Sequence, residues 1–501
     1  MDMELTLIST HTSVWVIIGL STLYIGTLLF FAFFSPLSGI SGPFLTRFTR
    51  LWYLKKIVDG DFEKTNLQLH KKYGAIVRIA PNEYSISDPT TLKVIYGHGT
   101  TFVKAPWYRA SGNSHPDIHD LFTDEDPIRH RDSRRRVANL FSMTSLIQYE
   151  DSVAECTDAI IDKFKMFAVS SREIDMQSWL QFFAFDMIGL ITVSKKFGFI
   201  DHGTDVQGIL AALHSYLVYS SRVGVFSEFH PFLSKILSLL PGKGFDHLIQ
   251  FTQEQIHSTK DAEKEGDASN FAGKLLEMHL ENPEKLPMHD ILGTCLLNVG
   301  AGSDTTSISL SAILYNLIKA PQIMAKLRHE IDEKRATSDS TGYLSFKSAH
   351  SMPYLQACIK EGLRVHPATG LPLARVVPRG GVSLCGKFFP EGTVVGVNAW
   401  VMNYDKVIFG EDADTYRPER WLVEPEKVAA MERTFSTFGH GSRTCIGKNI
   451  SLMEISRLIP EIVSRFDFIL TTPGERLETR NNWFVKQTDF KCRLSLRSGS
   501  A

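Results

Sequence analysis

The six cysteines of this chain, Cys156, Cys295, Cys358, Cys385, Cys445 and Cys492, never fall in C-x-x-C spacing. That argues against both a disulfide framework and a cysteine-rich zinc site, and makes a reducing compartment the default. Charge of one sign is lacking too: 54 Lys plus Arg stand against 55 Asp plus Glu, a formal net charge of −1, which leaves no basic field for nucleic acid. No Gly-x-Gly-x-x-Gly follows a strand-like run, so the chain carries no dinucleotide fingerprint of its own. Internal repeats and low-complexity tracts are absent as well, which sets aside solenoids and disordered arrays. At 43% hydrophobic and 22% charged residues, the composition also excludes a multi-span membrane protein. What remains is 501 residues, enough for a large core; length alone allows about three domains of ~150 residues, so the count has to come from motifs.

The one long apolar run is Val14 to Phe34, 21 residues without a charge. At about 1.5 Å per residue it can cross a hydrocarbon layer of roughly 30 Å. A cleaved signal peptide opens with basic residues, whereas this leader carries Asp2 and Glu4 and no Lys or Arg. Arg47, Arg50, Lys55 and Lys56 follow the run, and the positive-inside bias then places the bulk of the chain on the cytoplasmic side. The expectation is a lumenal N-terminus at 1–13, a transmembrane signal anchor at 14–34, a hinge and linker rich in Pro, Gly and Ser at 35–60, and one folded body at 61–501.

Within that body, Ile76 to Ala80 and Glu83 to Ser87 read as a hairpin split by Pro81-Asn82. Helical periodicity dominates from about 125 to 365, broken by loops such as Pro241-Gly242-Lys243-Gly244 and the polar stretch Ala336 to Gly342. Strand-like runs return at Arg375 to Val377, Val382 to Leu384 and Thr393 to Val397. A loop-rich region and a last helix follow. The pattern predicts a mostly α fold with a smaller β region, an α+β architecture.

The most informative string is Phe438-Gly439-His440-Gly441-Ser442-Arg443-Thr444-Cys445-Ile446-Gly447, of the form F-x-x-G-x-R-x-C-x-G. A cysteine on a glycine-bounded loop just before a helix can present its sulfur as a thiolate, held by backbone N–H groups and the helix N-terminus. Such a sulfur suits a soft, strongly donating axial bond to haem iron, which makes Cys445 the candidate metal ligand. Gly441 and Gly447 let the backbone turn tightly and approach a flat macrocycle, Phe438 can pack against the same face, and Arg443 can reach a haem propionate. The other five cysteines read as small buried hydrophobes.

This string resembles the haem-binding signature of the cytochrome P450 family, and other stretches resemble that family's further signatures in the expected order. Glu361-Gly362-Leu363-Arg364 is similar to its E-x-x-R, whose i, i+3 spacing puts acid and base on one helix face. Tyr416-Arg417-Pro418-Glu419-Arg420-Trp421 is similar to its P-E-R element. The resemblance implies that Glu361, Arg364 and Arg420 form a charge triad with a structural role. Ala301-Gly302-Ser303-Asp304-Thr305-Thr306, inside an apolar helical run from about Asp290 to Ala320, resembles the A-G-x-D-T-T of the distal haem face. Gly302 weakens the helix where a diatomic ligand needs room, and a Thr hydroxyl beside an acid can reorganise i to i−4 bonding and hold water. Asp304 and Thr305 are then the expected proton relay to bound dioxygen. His130 and Arg134, in a basic cluster that runs to Arg136, match the family's propionate ligands on its third main helix, while Arg135 and Arg136 equally suit a redox partner. Arg375 matches a further propionate ligand, and Ala368 to Leu373 are expected to line the substrate pocket. Two departures stand out: Ser41-Gly42-Pro43 replaces the common Pro-Gly-Pro, and His130 replaces Trp.

The resemblance implies a cytochrome P450 fold behind one N-terminal transmembrane helix, with haem b held by an axial thiolate. It implies a single-pass protein of the endoplasmic reticulum membrane whose catalytic domain faces the cytoplasm. The implied reaction is monooxygenation, in which one oxygen atom from dioxygen enters an apolar small molecule. Electrons would come from NADPH–cytochrome P450 reductase, with cytochrome b5 as an alternative donor. Tyr73-Gly74 to Asp88-Pro89 and Leu371 to Gly381 are similar to filamentous-fungal microsomal members of the pisatin-demethylase-like kind, which often modify secondary metabolites. Two other readings fit the same residues: a haem-thiolate isomerase or dehydratase needing no reductase, which Asp304 and Thr305 disfavour, and a non-catalytic haem-binding sensor.

Overall fold

Short polar side chains set ahead of apolar runs start many of the helices. The computed structural model describes residues 15–498 other than 16–17, 24, 28, 31, 113–118, 238–244, 264–269, 338–343 and 472–476. The longer helices are α1 (Phe62–Tyr73), α2 (Pro127–Val137), α3 (Glu150–Ser170), α4 (Met176–Val193), α5 (Ile209–Val223), α6 (Phe245–Glu263), α7 (Phe271–Glu281) and α8 (Met288–Leu297). They continue with α9 (Ser303–Lys319), α10 (Pro321–Ala336), α11 (Pro353–Val365), α12 (Pro425–Thr434) and α13 (Lys448–Arg465). Asp126 accepts from the N–H groups of Ile128 and Arg129 at the start of α2, with Pro127 at the first helical position, where its missing N–H costs nothing. Asp175 caps α4 and Asn270 caps α7 in the same way.

The centre of the core is helical. α4 is buried along nearly its whole length. α9 packs on α4 on one side and on α11 and α13 on others. Residues 290–320, expected as one helix, form α8 and α9 joined by a π-helical turn at Asn298–Gly302.

The strands gather into four small sheets. One has five strands in the order β1 (Ile76–Ala80), β2 (Glu83–Ile86), β8 (Val394–Val397), β5 (Arg375–Val376), β3 (Val103–Lys104), with only β2 and β8 parallel. A three-stranded sheet joins β4 (Ile174–Asp175), β12 (Lys491–Leu496) and β9 (Phe466–Leu470). Two hairpins complete the set, β6 (Val382–Leu384) with β7 (Lys387–Phe389), and β10 (Thr479–Asn482) with β11 (Phe484–Gln487). The hairpin split at Pro81-Asn82 is present, with Ile76 opposite Ile86.

Two features differ from the sequence reading. The chain does not end on α13: β9 to β12 follow it. The Arg-Asn-Asn of β10 and the Lys-Gln of β11 dilute the strand preference of Thr479, Phe484 and Val485, and the pairing across the hairpin holds both segments as strand. The stretch read as hinge and linker is ordered and packed. It forms a helix at Leu51–Asp59 with Tyr53 and Ile57 buried, and Arg47 donates to the carbonyls of Ala32 at 3.1 Å and Ser38 at 2.8 Å. An apolar helix runs from Ile18 to Phe34; positions 1–13 and parts of 14–34, the Pro241–Gly244 loop and residues 338–342 lie outside the described residues.

Candidate active site around Cys445

The cysteine loop is closed by its own backbone. Cys445 N–H donates to the Phe438 carbonyl at 2.8 Å, and the Thr444 hydroxyl donates to the same oxygen at 3.1 Å. Gly439 and Gly441 sit at φ 68° and 62°, and a Cβ on Gly441 would stand 1.8 Å from the Tyr96 carbonyl oxygen, so this turn admits only glycine. Gly447 differs from expectation: its φ is −82° and nothing lies within 4 Å of the place a Cβ would take, so neither turn nor packing demands it. Burial pushes the Cys445 thiol up, while the N–H groups of Gly447 and Lys448 and the charge of Arg134 favour the thiolate. Phe438 is partly buried, with the Lys448 ammonium 5.5 Å from its ring centroid.

Cations converge beside this loop. Arg443, two residues from the sulfur, is pushed down to about 10, first by burial and then by the charge of Arg375. The His130 imidazole is pushed to about 3 by burial and then by Arg443, Lys104 and Arg134. Lys104 is the member that sequence reasoning missed. Strand register sets it directly opposite Arg375 in the β3–β5 pair, and burial with the charges of Arg375 and Arg443 drives its pKa far down. Its only local signal was a lysine in a short apolar stretch. Like charges facing across an antiparallel pair repel, and these are also desolvated. Arg443 Nη1 is buried without a hydrogen-bond partner. A pair of carboxylates between these groups would relieve both costs, so the residues present fit the two propionates of a haem whose iron meets Cys445.

In the helical core, a π turn at Asn298–Gly302 interrupts the helix just ahead of Asp304. The Thr305 hydroxyl donates to the Ala301 carbonyl at 2.7 Å, inside that turn. Gly302 plays a different part from the one expected: its missing side chain faces Ile188 of α4, where a Cβ would meet carbons at 3.2 and 3.3 Å. It lets two helices approach, and the π turn makes the local opening. Asp304 is 5% exposed and accepts from the Gln181 amide, whose own oxygen accepts from the Lys486 ammonium at 2.8 Å. Gln181 on α4 and Lys486 on β11 carried no sequence signal. Thr306 donates to Ser451 of α13 at 3.1 Å.

Glu361, Arg364 and Arg420 come together in the core. Arg364 forms a bidentate pair with Glu361 at 2.8 and 2.9 Å, and Arg420 Nε donates to the same carboxylate at 2.9 Å. Trp421 Nε1 fills a further lone pair at 2.9 Å, and Arg364 also binds the carbonyls of Asn403 and Ala413 at 2.7 and 2.6 Å. The triad ties α11 to the loops that lead into the cysteine segment. Leu371 and Pro372, from the stretch expected to line the pocket, border a cavity of about 180 Å³.

Comparison with known proteins agrees with this arrangement. The Cytochrome P450 family profile matches residues 43–490. A pisatin demethylase of Fusarium vanettenii is 40% identical over 468 residues, 91% of this chain and 88% of its own length. A second from the same organism is 38% identical, covering 94% and 92%. The cytochrome P450 monooxygenase cicH of Emericella nidulans is 33% identical, covering 95% and 97%. The glycine-closed cysteine loop, the desolvated cations beside it and similarity along almost the whole length agree: the chain belongs to the cytochrome P450 family and is a P450 monooxygenase.

Proposed function

We propose that this protein is a membrane-anchored haem-thiolate monooxygenase of fungal secondary metabolism, inserting one oxygen atom from dioxygen into an apolar small molecule. NADPH–cytochrome P450 reductase is the proposed electron donor, with cytochrome b5 as an alternative. The observation that carries the reading is the desolvated group of Lys104, His130, Arg134, Arg375 and Arg443 beside Cys445, in which Arg443 Nη1 has no hydrogen-bond partner among the described residues.

A haem bound there supplies reductive activation of dioxygen and transfer of one oxygen atom to a C–H bond. The chain supplies the rest. Cys445 offers a sulfur whose negative charge is held by the N–H groups of Gly447 and Lys448. Lys104, Arg134, Arg375 and Arg443 would neutralise the propionates, and the neutral His130 imidazole would donate a hydrogen bond to one of them. Asp304 would pass a proton toward the π turn, and Thr305 would position the water that carries it. Gln181 and Lys486 act as positioning residues, because they hold the Asp304 carboxylate from behind. The aromatic rings of Trp107, Tyr108, Phe122 and Trp483, packed within 4.6–5.8 Å of one another, exclude water from the substrate side. The segment 14–34 is the proposed anchor in the endoplasmic reticulum, with residues 61–501 as the catalytic domain on the cytoplasmic side.

The test is spectroscopic and kinetic. Cys445→Ser is expected to abolish the long-wavelength Soret band of the reduced carbon monoxide adduct, whereas Cys358→Ser, a buried position, keeps it. A retained band in the first variant sinks the assignment. Turnover that depends on both NADPH and dioxygen separates monooxygenation from isomerase or dehydratase chemistry, and a ligand bound but never changed would point to a sensor.

A further inference from the structure

The β10–β11 hairpin has two unlike faces, because successive side chains of a strand point to opposite sides. One face is used for packing: Asn481 donates to Glu63 of α1 at 2.8 Å, and Gln487 donates to the Ile308 carbonyl of α9 at 3.1 Å. The other face carries Arg480, Asn482, Phe484 and Lys486. Register sets Arg480 directly opposite Lys486, and Asn482 opposite Phe484. Thr369 extends this face, since it is the bridge partner of Phe484 and so projects to the same side. The face is therefore cationic at one end, with a ring and a threonine beside it.

Like charges directly opposite destabilise a strand pair, and the usual remedy is a carboxylate between them. None is supplied: neither Arg480 nor Lys486 makes an ion pair among the described residues. Lys486 is fixed by its bond to Gln181 at 2.8 Å and meets Asp304 only through that amide. α5 packs on β10 and adds further basic groups. The His214 imidazole of α5 is held below its ordinary value by burial and then by Lys486, with Arg480 and Arg222 acting the same way and Asp304 opposing them. Arg222 Nε is buried without a partner. Lys486 and Arg222 are half-buried, so water and salt screen them less than a surface cation. Asp304, the carboxylate among these groups, is 5% exposed and already held by Gln181. These charges select among ligands. An ammonium is repelled, and a neutral molecule leaves the opposed cations as they are. A carboxylate accepts charge-assisted hydrogen bonds from both, while an apolar body joined to it covers Phe484 and Thr369.

We propose that the substrate is an apolar acid, whose carboxylate docks between Arg480 and Lys486 on the hairpin face turned to α5. Calling this ligand the substrate rests on the monooxygenase reading, to whose apolar molecule it adds one acidic group; the preference for an acid does not rest on it.

The experiment uses the haem-loaded full chain in a neutral detergent. It measures, by calorimetry, the binding of 4-phenylbutanoate and of its uncharged isostere 4-phenylbutanamide. The acid is expected to bind about ten-fold or more tightly than the amide, the margin of a hydrogen bond to a charged group, and the preference should shrink as salt is added. Arg480→Met is expected to remove most of that preference and leave the amide unchanged, whereas Arg480→Lys keeps the greater part of it. Lys486→Met should weaken the acid in the same direction. An unchanged reduced carbon monoxide band in each variant confirms that it is folded. Equal affinity for acid and amide, no measurable binding of the acid, or a preference retained in both Arg480→Met and Lys486→Met overturns the proposal. Failure of the monooxygenase reading would show instead as a missing thiolate band in the parent protein, whichever ligand it prefers.

Discussion

At the scale of single residues, the proposed proton relay rests on Asp304 and Thr305. The Thr305 hydroxyl donates to the Ala301 carbonyl, which lies inside the π turn. Thr305→Ala removes a hydroxyl and a methyl and little packing, so haem content and substrate binding are expected to hold. Product formation should fall by about one to two orders of magnitude, the usual loss when a positioned proton donor is removed. NADPH consumption should persist better, with the difference recovered as hydrogen peroxide. Gln181→Leu should act in the same direction more weakly, since it frees the Asp304 carboxylate without removing it. Unaltered coupling of NADPH to product in both variants would refute the relay. The identities of Asp304 and Thr305 were legible because they lie in one short string. Gln181 and Lys486 were not, because Gln181 lies 123 positions before Asp304 and Lys486 lies 305 positions after Gln181.

At the scale of elements, two buried polar joints hold helices against loops and strands. The first is the Glu361 carboxylate, which carries Arg364, Arg420 and Trp421 in a region where Glu361 and Arg364 are 0% exposed. Glu361→Gln leaves the buried Arg364 without its counter-charge and Arg420 with Asp412 alone, and breaking such a buried pair typically costs about 3–5 kcal/mol. Trp421→Phe removes one hydrogen bond to a charged group and should cost about 1.5–3 kcal/mol. Thermal unfolding of the haem-loaded protein checks the order; a smaller loss for Glu361→Gln than for Trp421→Phe would contradict the shared-charge account. The second joint is Glu63 in α1, which accepts from Asn481 Nδ2 of β10 at 2.8 Å. Burial raises its carboxyl from an ordinary value near 4.5 to about 7. The folded pKa lies above the unfolded one, so the neutral acid is the favoured form. Its contribution is complete below about 4.5 and is lost as pH rises toward 7. Relative to Glu63→Gln, the parent is therefore expected to lose on the order of 3 kcal/mol of stability across that window. Nearby His70, pushed down to about 4, titrates with the opposite slope and cancels in the comparison. A pH-independent difference between the two proteins would remove Glu63 from the account. The E-x-x-R pair was legible from its i, i+3 spacing. Glu63 was not, because its partner Asn481 lies 418 positions away, on a strand whose Arg-Asn-Asn gives little signal.

At the scale of the whole molecule, the apolar run at 14–34 and an exposed apolar patch at Phe229, Phe232 and Leu237 bear on membrane attachment. Deleting residues 1–34 should release much of the protein from the membrane pellet, with the remainder held by the patch. Phe229→Ser with Phe232→Ser in the shortened chain should then lower that remainder. Secretion of a chain beginning near Gly39 would show a cleaved signal instead. By itself the sequence determined the chemistry that is contiguous along the chain: the cysteine loop, the E-x-x-R pair, the Asp304-Thr305 step and the mostly helical plan. Each depends on spacing within a turn or two, where local geometry is all that matters. Only the tertiary structure decided that Lys104 faces Arg375, that Gly302 serves the contact with Ile188, and that a packed helix occupies Leu51–Asp59. It likewise decided that four strands follow the last helix and that Trp107 and Glu83 share one small cavity. The reason is physical: strand register, helix contact and burial are fixed by partners far away in the chain, and those partners become neighbours only once the core has closed.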